Sequence, residues 1–402
     1  MAIHDFLHVQ IRGAGLTGSL AALAFYSSGW NVSLEDPLTM EQLQNRSRAY
    51  AITHSSQRFL KKLDLWNPLE EFLVGFKWLT VRDQEIDRES LFGLDDLPQQ
   101  PSQAVGWTIQ HQPLMKIIFE RLKATSVNLK LGDSTFESSL STLNNKATNY
   151  LILACEGSES YTRKSIGINL WTFKYKQLCL TAIVRLRGID SDQAFELFRS
   201  EGPFAILPLG TDLFQIVWSA SKERCRQLEA MNSVSFLDTL SSVLPNHIQA
   251  SALIDKPRAF PVAWALAHRL HKGKVILVGE VAHRSHPVGG QGLNLCWRDV
   301  EVLYELALEV KAGKIREDQL PKLYGRRRWI DVINTLLITD SLVRLFSNRI
   351  HILMLVRNLG FSILNGIPLL RRIILSIMTE GPNFIPQFRI SINYYKDSHG
   401  IK

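Results

Sequence analysis

A short apolar strand that runs straight into Gly13-Ala14-Gly15-Leu16-Thr17-Gly18 leaves few folds open to this chain. His8-Val9-Gln10-Ile11 reads as that strand, and Ser19 to Tyr26 as a helix rich in Ala and Leu. Asn31-Val32-Ser33-Leu34 reads as the next strand, ending at Glu35. This is the start of a βαβ unit. Gly13 permits the tight turn, Gly15 lets backbone approach a pyrophosphate, and Gly18 lets the helix lie close on the sheet. Glu35 follows Gly13 by 22 positions, near the roughly 20 at which a carboxylate meets the ribose hydroxyls of a dinucleotide. A carboxylate there repels a 2′-phosphate, so the turn suits FAD or NAD rather than NADP. The other reading of the same residues is a glycine-rich turn with no ligand.

A second place of this kind lies near the other end. Lys274 to Gly279 reads as a buried strand and Asp299 to Val310 as a helix, with Val300, Leu303, Leu306, Ala307 and Val310 at helical spacing and Gly313 closing it. Between them stand Glu280, Pro287 and the run Gly289-Gly290-Gln291-Gly292-Leu293-Asn294. A strand, an acid, a glycine-crowded turn and a helix N-terminus together make a seat for an anionic cofactor. A third pattern, Leu151-Ile152-Leu153-Ala154-Cys155-Glu156-Gly157 followed by Arg163, reads as a strand ending in an acid and a glycine. Widely separated turns can grip one elongated dinucleotide.

The 402 residues suffice for two domains, and 46% hydrophobic with 21% charged residues excludes a disordered chain. A net charge of +8 suits an anionic cofactor or an anionic membrane surface. No zinc-ligand spacing or aromatic RNA-binding box supports nucleic acid. Cys155, Cys179, Cys225 and Cys296 form no CxxC pair and read as reduced thiols of a cytosolic protein. His283 and His286, in a Pro/Gly turn without a third ligand, read as loop histidines, and no metal is expected. Met1 to Phe6 shows no signal-peptide pattern. The best apolar run, Asn358 to Leu370, is shorter than the roughly 18 residues a span needs and is broken by Gly360, Gly366 and Pro368.

The middle of the chain changes character. Leu178 to Leu186 alternates, and Phe204 to Leu209 joins Leu213 to Trp218 through Gly210-Thr211-Asp212 as an antiparallel hairpin. Arg224 to Leu244 reads as helical. An inserted sheet-and-helix module thus interrupts the nucleotide-binding part. From Gln319 the chain is helical, basic and apolar by turns, with Arg326-Arg327-Arg328 and Arg371-Arg372. That tail reads either as a helical cap with solvated arginines or as an amphipathic surface on anionic lipid.

The three patterns together resemble the class A flavin-dependent monooxygenases, those of the para-hydroxybenzoate hydroxylase fold. The chain looks most like the ubiquinone-biosynthesis hydroxylases among them. Arg48-Ala49-Tyr50-Ala51-Ile52-Thr53, Gly202-Pro203-Phe204-Ala205-Ile206-Leu207-Pro208-Leu209, Phe260-Pro261, Tyr324 to Arg328, Thr339-Asp340 and Leu345-Phe346-Ser347 carry that likeness. It implies an α/β fold: a Rossmann-like FAD-binding domain from residues 1–75, 105–170 and 265–330, an inserted antiparallel-sheet substrate domain from 76–104 and 171–264, and a C-terminal helical region, 331–402. It implies that Gly13, Gly15 and Gly18 face the FAD pyrophosphate, Glu35 its ribose, Arg48 its flavin side and Gln110 its phosphates. Glu156-Gly157 stands for the family's Asp-Gly, Gly279-Glu280 for the glycine and aspartate at the ribityl chain, and Cys296 for a glycine. Pro287, Gly289, Gln291, Gly292, Leu293 and Asn294 would line the isoalloxazine ring, with the amides of 292–294 facing its anionic edge.

The activity so implied is FAD-dependent hydroxylation of the aromatic ring of a lipid-soluble, prenylated quinone precursor through a flavin C4a-hydroperoxide, with NAD(P)H as reductant and O2 as co-substrate. Cytoplasmic location with peripheral membrane contact follows, as does association as a homodimer or in a biosynthetic complex. Two rivals stay open: a flavin-dependent reductase or dehydrogenase of an isoprenoid, and a non-catalytic scaffold of a quinone-biosynthesis complex.

Overall fold

The computed structural model describes residues 7–98, 102–132 and 150–383. The N-terminal residues read above for a signal peptide lie outside them, as do parts of the expected segments 76–104, 105–170 and 331–402. Among the described residues, six strands form one sheet in which His8–Arg12 lies between Asn31–Asp36 and Leu151–Ala154, all parallel. Val275–Leu277 extends the sheet beyond Leu151–Ala154, and Asn128–Leu131 extends it beyond Asn31–Asp36. The chain therefore leaves the first strand toward one side of the sheet and returns later on the other. That reversal opens a crevice at the carboxyl end of His8–Arg12, where open α/β sheets bind ligands.

The helix Leu16–Ser27 packs over this sheet with Leu20, Ala21, Ala22, Ala24 and Phe25 fully buried. Its small residues allow the close approach. A Cβ on Gly18 would stand 1.8 Å from the Gly13 carbonyl oxygen, so only glycine fits there. Gly13 has φ +99°, which glycine adopts without strain.

A nine-stranded sheet forms the second layer. Its spine is the long strand Leu170–Arg187, paired antiparallel with Leu213–Ser221 and Arg258–Ala267. The hairpin read from the sequence is present, Phe204–Pro208 with Leu213–Ser221. The helical stretch read over Arg224 to Leu244 is two helices, Lys222–Ala230 and Ser233–Ser241. Asn232 starts the second by accepting the Ser235 amide at 2.9 Å, and such a cap interrupts a continuous helix. The helix read from Asp299 begins at Gln291 and runs to Lys311.

Three helices end the described part of the chain: Leu320–Phe346, His351–Gly366 and Pro368–Glu380. The last two meet at a bend of 104°. Pro368 lacks the amide needed to continue the preceding helix. No single described helix is long and apolar enough to cross a membrane, although this bent pair has the length and composition between them.

Candidate active site

One cavity of about 890 Å³ touches both glycine turns. Gly13 and Gly15 line it, as do Pro287, Gly289, Gly290, Gly292 and Leu293. Two helix N-termini open into it. Gly15 caps the helix Leu16–Ser27 and Gly290 caps Gln291–Lys311, with no capping side chain and no acid in the first turn of either. Their first amides are free for an external anion, and both helix dipoles favour one.

The acid that meets the first turn is Asp36, a correction to the expectation for Glu35. Glu35 does not line the cavity. Its carboxylate accepts from Gln10 Nε2 at 2.7 Å and Lys130 Nζ at 3.0 Å. Asp36 does line it, accepting the Ala14 amide at 2.7 Å and the Leu38 amide at 2.8 Å. Side chains alternate along a strand, so adjacent acids face opposite sides. Pairing of Arg12 with Glu35 places Asp36 one residue beyond the first strand, over the glycine turn. The argument against a 2′-phosphate passes to Asp36.

Gln110 is likewise displaced by its neighbour. It precedes the helix His111–Lys123 and is not on the cavity wall, whereas His111 is. His111 Nε2 lies 2.8 Å from the Leu43 carbonyl, which can only accept, and Nδ1 lies 3.0 Å from the Tyr50 hydroxyl. Burial lowers the His111 pKa and favours this neutral form. Arg48 lines the cavity, with its guanidinium 5.4 Å from the Tyr50 ring centroid and 4.9 Å from that of Phe260.

Glu156 and Gly157 line the centre of the cavity. The Glu156 carboxylate turns back onto its own chain. It accepts from Ser160 Oγ, from Thr162 Oγ1 at 2.7 Å and from the Thr162 amide at 3.2 Å, and it lies 3.7 Å from Arg12 Nε. These contacts fix the carboxylate at the start of the helix Tyr161–Ser165, whose N-cap is Ser160. Arg163 donates to the Val281 carbonyl at 3.1 Å and so ties this motif to the third.

In the third motif the exposed Glu280 lines the cavity, and its carboxylate makes no hydrogen bond or ion pair among the described residues. Gly279, φ +66°, lies just behind. Its amide donates to Asp299 Oδ2 at 2.9 Å, and a Cβ on it would be 3.1 Å from Cys296 Sγ. His283 Nε2 is 2.7 Å from the same Asp299 oxygen and Arg328 Nε is 2.6 Å from the other. Burial opposes the Asp299 charge, but His283 and Arg328 hold its pKa below the usual carboxylate range. Gln291 and Asn294 brace the turn with their side chains, off the cavity wall. Gln291 Nε2 donates to the Met378 carbonyl at 2.9 Å. Asn294 Oδ1 accepts from Ser56 Oγ at 2.7 Å and the Thr53 amide at 3.1 Å, while Nδ2 donates to the Ala51 carbonyl at 2.9 Å.

The large sheet supplies the remaining wall. Ala194, Ala205, Leu207 and Val217 make it apolar, and Leu375 and Met378 of the last helix close it. Two polar groups there escaped the sequence reading. Gln215 is fully engaged with Ala49, accepting its amide at 2.6 Å and donating to its carbonyl at 3.0 Å. Glu196 accepts the Gly289 amide at 3.2 Å. Burial pushes the Glu196 carboxyl up to about 7, against the effect of that amide. Alternation alone could have placed Glu196 opposite Phe195 and Leu197, but not toward a site.

The residues present fit FAD. Two uncapped helix N-termini, an unpaired Glu280 and side-chain-free space at Gly15, Gly157, Gly289 and Gly292 lie along one elongated cavity.

Residues 141–330 match the FAD binding domain family. The chain is 28% identical, over 91% of its length, to the ubiquinone hydroxylase UbiL of Rhodospirillum rubrum, of which it covers 87%. It is 25% identical, over 90% of its length, to the 3-demethoxyubiquinol 3-hydroxylase of Escherichia coli, of which it covers 96%. Its fold is similar to the crystal structure of p-nitrophenol 4-monooxygenase PnpA from Pseudomonas putida, with a TM-score of 0.73 at 15% identity, covering 94% of this chain and 99% of that one.

Proposed function

We propose that this chain, which belongs to the class A flavin-dependent monooxygenases, hydroxylates the aromatic ring of a lipid-soluble quinone precursor. The observation that carries the reading is the cavity shared by the two glycine turns and by apolar residues of the large sheet. FAD bound there supplies electrons drawn from NAD(P)H and the activation of O2.

The chain's residues then divide the work. Gly13 and Gly15 and the free amides after Gly15 hold the pyrophosphate, and Asp36 holds the adenosine ribose. Glu280 accepts from the ribityl hydroxyls. The amides of Gly292 and Leu293, at a helix N-terminus, would stabilise negative charge on the bound flavin. Arg48 stands on the flavin side. Ala205, Leu207 and Val217 exclude water and seat an apolar ring.

The substrate's lipid character finds support in the last two helices. Ile352, Leu355, Leu359 and Ile363 are exposed on one face of His351–Gly366, while Leu375 of the next helix lines the cavity. We place this face against a membrane surface, from which a prenylated ring reaches the site.

Purified protein should be yellow, bind FAD at one per chain, and transfer an atom of 18O2 to a phenolic quinone precursor in the presence of NAD(P)H. A folded protein that stays colourless after reconstitution with FAD ends this reading. Flavin reduction without oxygen transfer to any phenol favours a reductase.

A further inference from the structure

The wall of the large sheet carries few polar side chains, and one of them, Gln215, is already engaged with Ala49. On the strands Gln193–Phe198, Phe204–Pro208 and Leu213–Ser221, Glu196 is the only ionisable residue that lines the cavity among the described residues. Its cross-strand partners are uncharged, Val81 on one side and Ala205 on the other. The turn from Ser285 to Gln291 carries no carboxylate, arginine or lysine, and burial, with a small contribution from Glu196, pushes the Cys179 thiol up. Ala194 and Phe198, on the same face of its strand, pack into apolar clusters. Such surroundings disfavour an ionised carboxyl, so its presence here calls for a use.

The carboxyl has two oxygens and one partner. Oε2 accepts the Gly289 amide at 3.2 Å. Oε1 accepts no hydrogen bond among the described residues and is not sealed from the cavity. The Gly289 turn is where the flavin ring would lie in the reading above. A ring seated between that turn and the apolar wall meets one free acceptor, Glu196 Oε1.

We propose that Glu196 is the catalytic base that takes the proton of the substrate's phenolic hydroxyl. This rests on the hydroxylase reading. The O–H bond breaks, the proton goes to Oε1, and its electron pair stays on the phenolate oxygen, where it raises the electron density of the ring carbon to be hydroxylated. No electron is gained or lost in this step. The proton returns to water when product leaves and the cavity opens. Burial tunes the carboxyl for this task, since a base works best when its pKa lies near the working pH.

The test uses FAD-loaded protein and 4-nitrophenol as the phenol, followed by calorimetry in two buffers of different ionisation heat. At about pH 9, two units above the carboxyl, both Glu196 and the free phenol have lost their protons. A site that shares one proton between them takes up close to one proton per phenol bound. Glu196→Gln should bind without proton uptake. Glu196→Asp, which keeps the acid, should retain it. In turnover of an ordinary phenol, which keeps its proton at neutral pH, the acid limb of kcat/KM near the carboxyl's value should vanish in Glu196→Gln, with a loss on the order of 100-fold at neutral pH that recovers as the phenol itself ionises. No proton uptake by the wild-type protein, including through lack of binding, overturns the assignment, and so does equal uptake by Glu196→Gln. Proton uptake that depends on Glu196, with no oxygen transferred to any phenol, keeps the base and overturns the hydroxylase reading instead.

Discussion

Two glycines three residues apart in the first turn do opposite jobs. At Gly18 a Cβ would meet the Gly13 carbonyl at 1.8 Å, and backbone cannot yield. At Gly15 a Cβ would meet nothing within 4 Å. Gly18→Val should therefore lower the thermal midpoint of the flavin-free protein by the equivalent of about 3 kcal/mol or more. Gly15→Val should leave that midpoint within a degree or two and weaken FAD binding by about tenfold or more, because the added methyls fill the pyrophosphate's approach. Equal loss of stability in both would mean that Gly15 serves the fold. These glycines were legible in the sequence because each has a backbone task that other residues cannot perform. Asp36 was not. Spacing from Gly13 fits Glu35 and Asp36 almost equally, and only the strand register decides which faces the turn. Glu196 was hidden for a related reason, since a lone acid within Phe195-Glu196-Leu197-Phe198 reads as a solvent-facing position. Its burial carries a cost with a definite sign. The folded-state pKa of about 7 lies above the ordinary 4.5, so the unfolded chain ionises first and stability falls as pH rises between those values. Glu196→Gln removes that fall. By 1.36 kcal/mol per unit it should be more stable than wild type by about 3 kcal/mol at pH 8, and near parity at pH 4, in urea titrations. A pH-independent difference would show that the carboxyl is ordinary.

The element that sequence reading placed least well is the helix Gln291–Lys311, expected only from Asp299. Gly289, Gly290 and Gly292 read as turn because glycine disfavours helix, and no Ser, Thr or Asp marks the true start. Tertiary contacts supply what local preference lacks. Asn294 bridges to Ala51, Thr53 and Ser56, while Leu295 and Trp297 are buried. Farther along, Asp299 is the hub that fixes the turn to the helices behind it. It holds the Gly279 amide, His283 and Arg328, and Arg328 with Arg298 engages Asp331 on the next helix. Removing one member of a buried ionic network leaves its partners without compensation, which costs about 3–5 kcal/mol. Asp299→Ala should lower stability by that amount and loosen FAD through Gly279 and Glu280, read as faster FAD release on dilution. Because its folded pKa is depressed, the stabilisation from Asp299 is present above the ordinary carboxylate range and is lost as pH falls below it. The variant should therefore lose the steepest part of acid unfolding below about pH 4. An unchanged acid limb would move the hub elsewhere.

At the scale of the whole molecule, the two faces of the C-terminal helices link a surface to the site. Leu364 and Leu375 pack with Phe76, Val105 and Ala194 in one apolar cluster, and Phe76, Val105, Ala194 and Leu375 all reach the cavity. The cap reading fits the buried side of these helices, and the proposed lipid contact concerns their exposed apolar side. Arg58 anchors Glu380 at the end of the last helix, and Gln291 holds Met378, so the cap is tied directly to the third glycine turn. On the outer side, Leu355 and Leu359 are 70% and 61% exposed. Large apolar side chains repeated on one helix face in water are unfavourable unless something covers them, and Arg372 of the next helix is exposed as well. Their exposure makes the decisive experiment clean, because changing them removes little folded-state packing. Leu355→Asp with Leu359→Asp should keep full FAD content and a thermal midpoint near that of wild type. It should reduce flotation with anionic vesicles by about 100-fold, since two buried leucines contribute on the order of 3 kcal/mol to lipid contact. Turnover of a soluble phenol should be spared and that of a vesicle-borne prenylated phenol lost. Undiminished flotation would assign this face to another copy of the chain or a protein partner, and equal loss of both activities would place Leu355 and Leu359 in the cap rather than at the membrane.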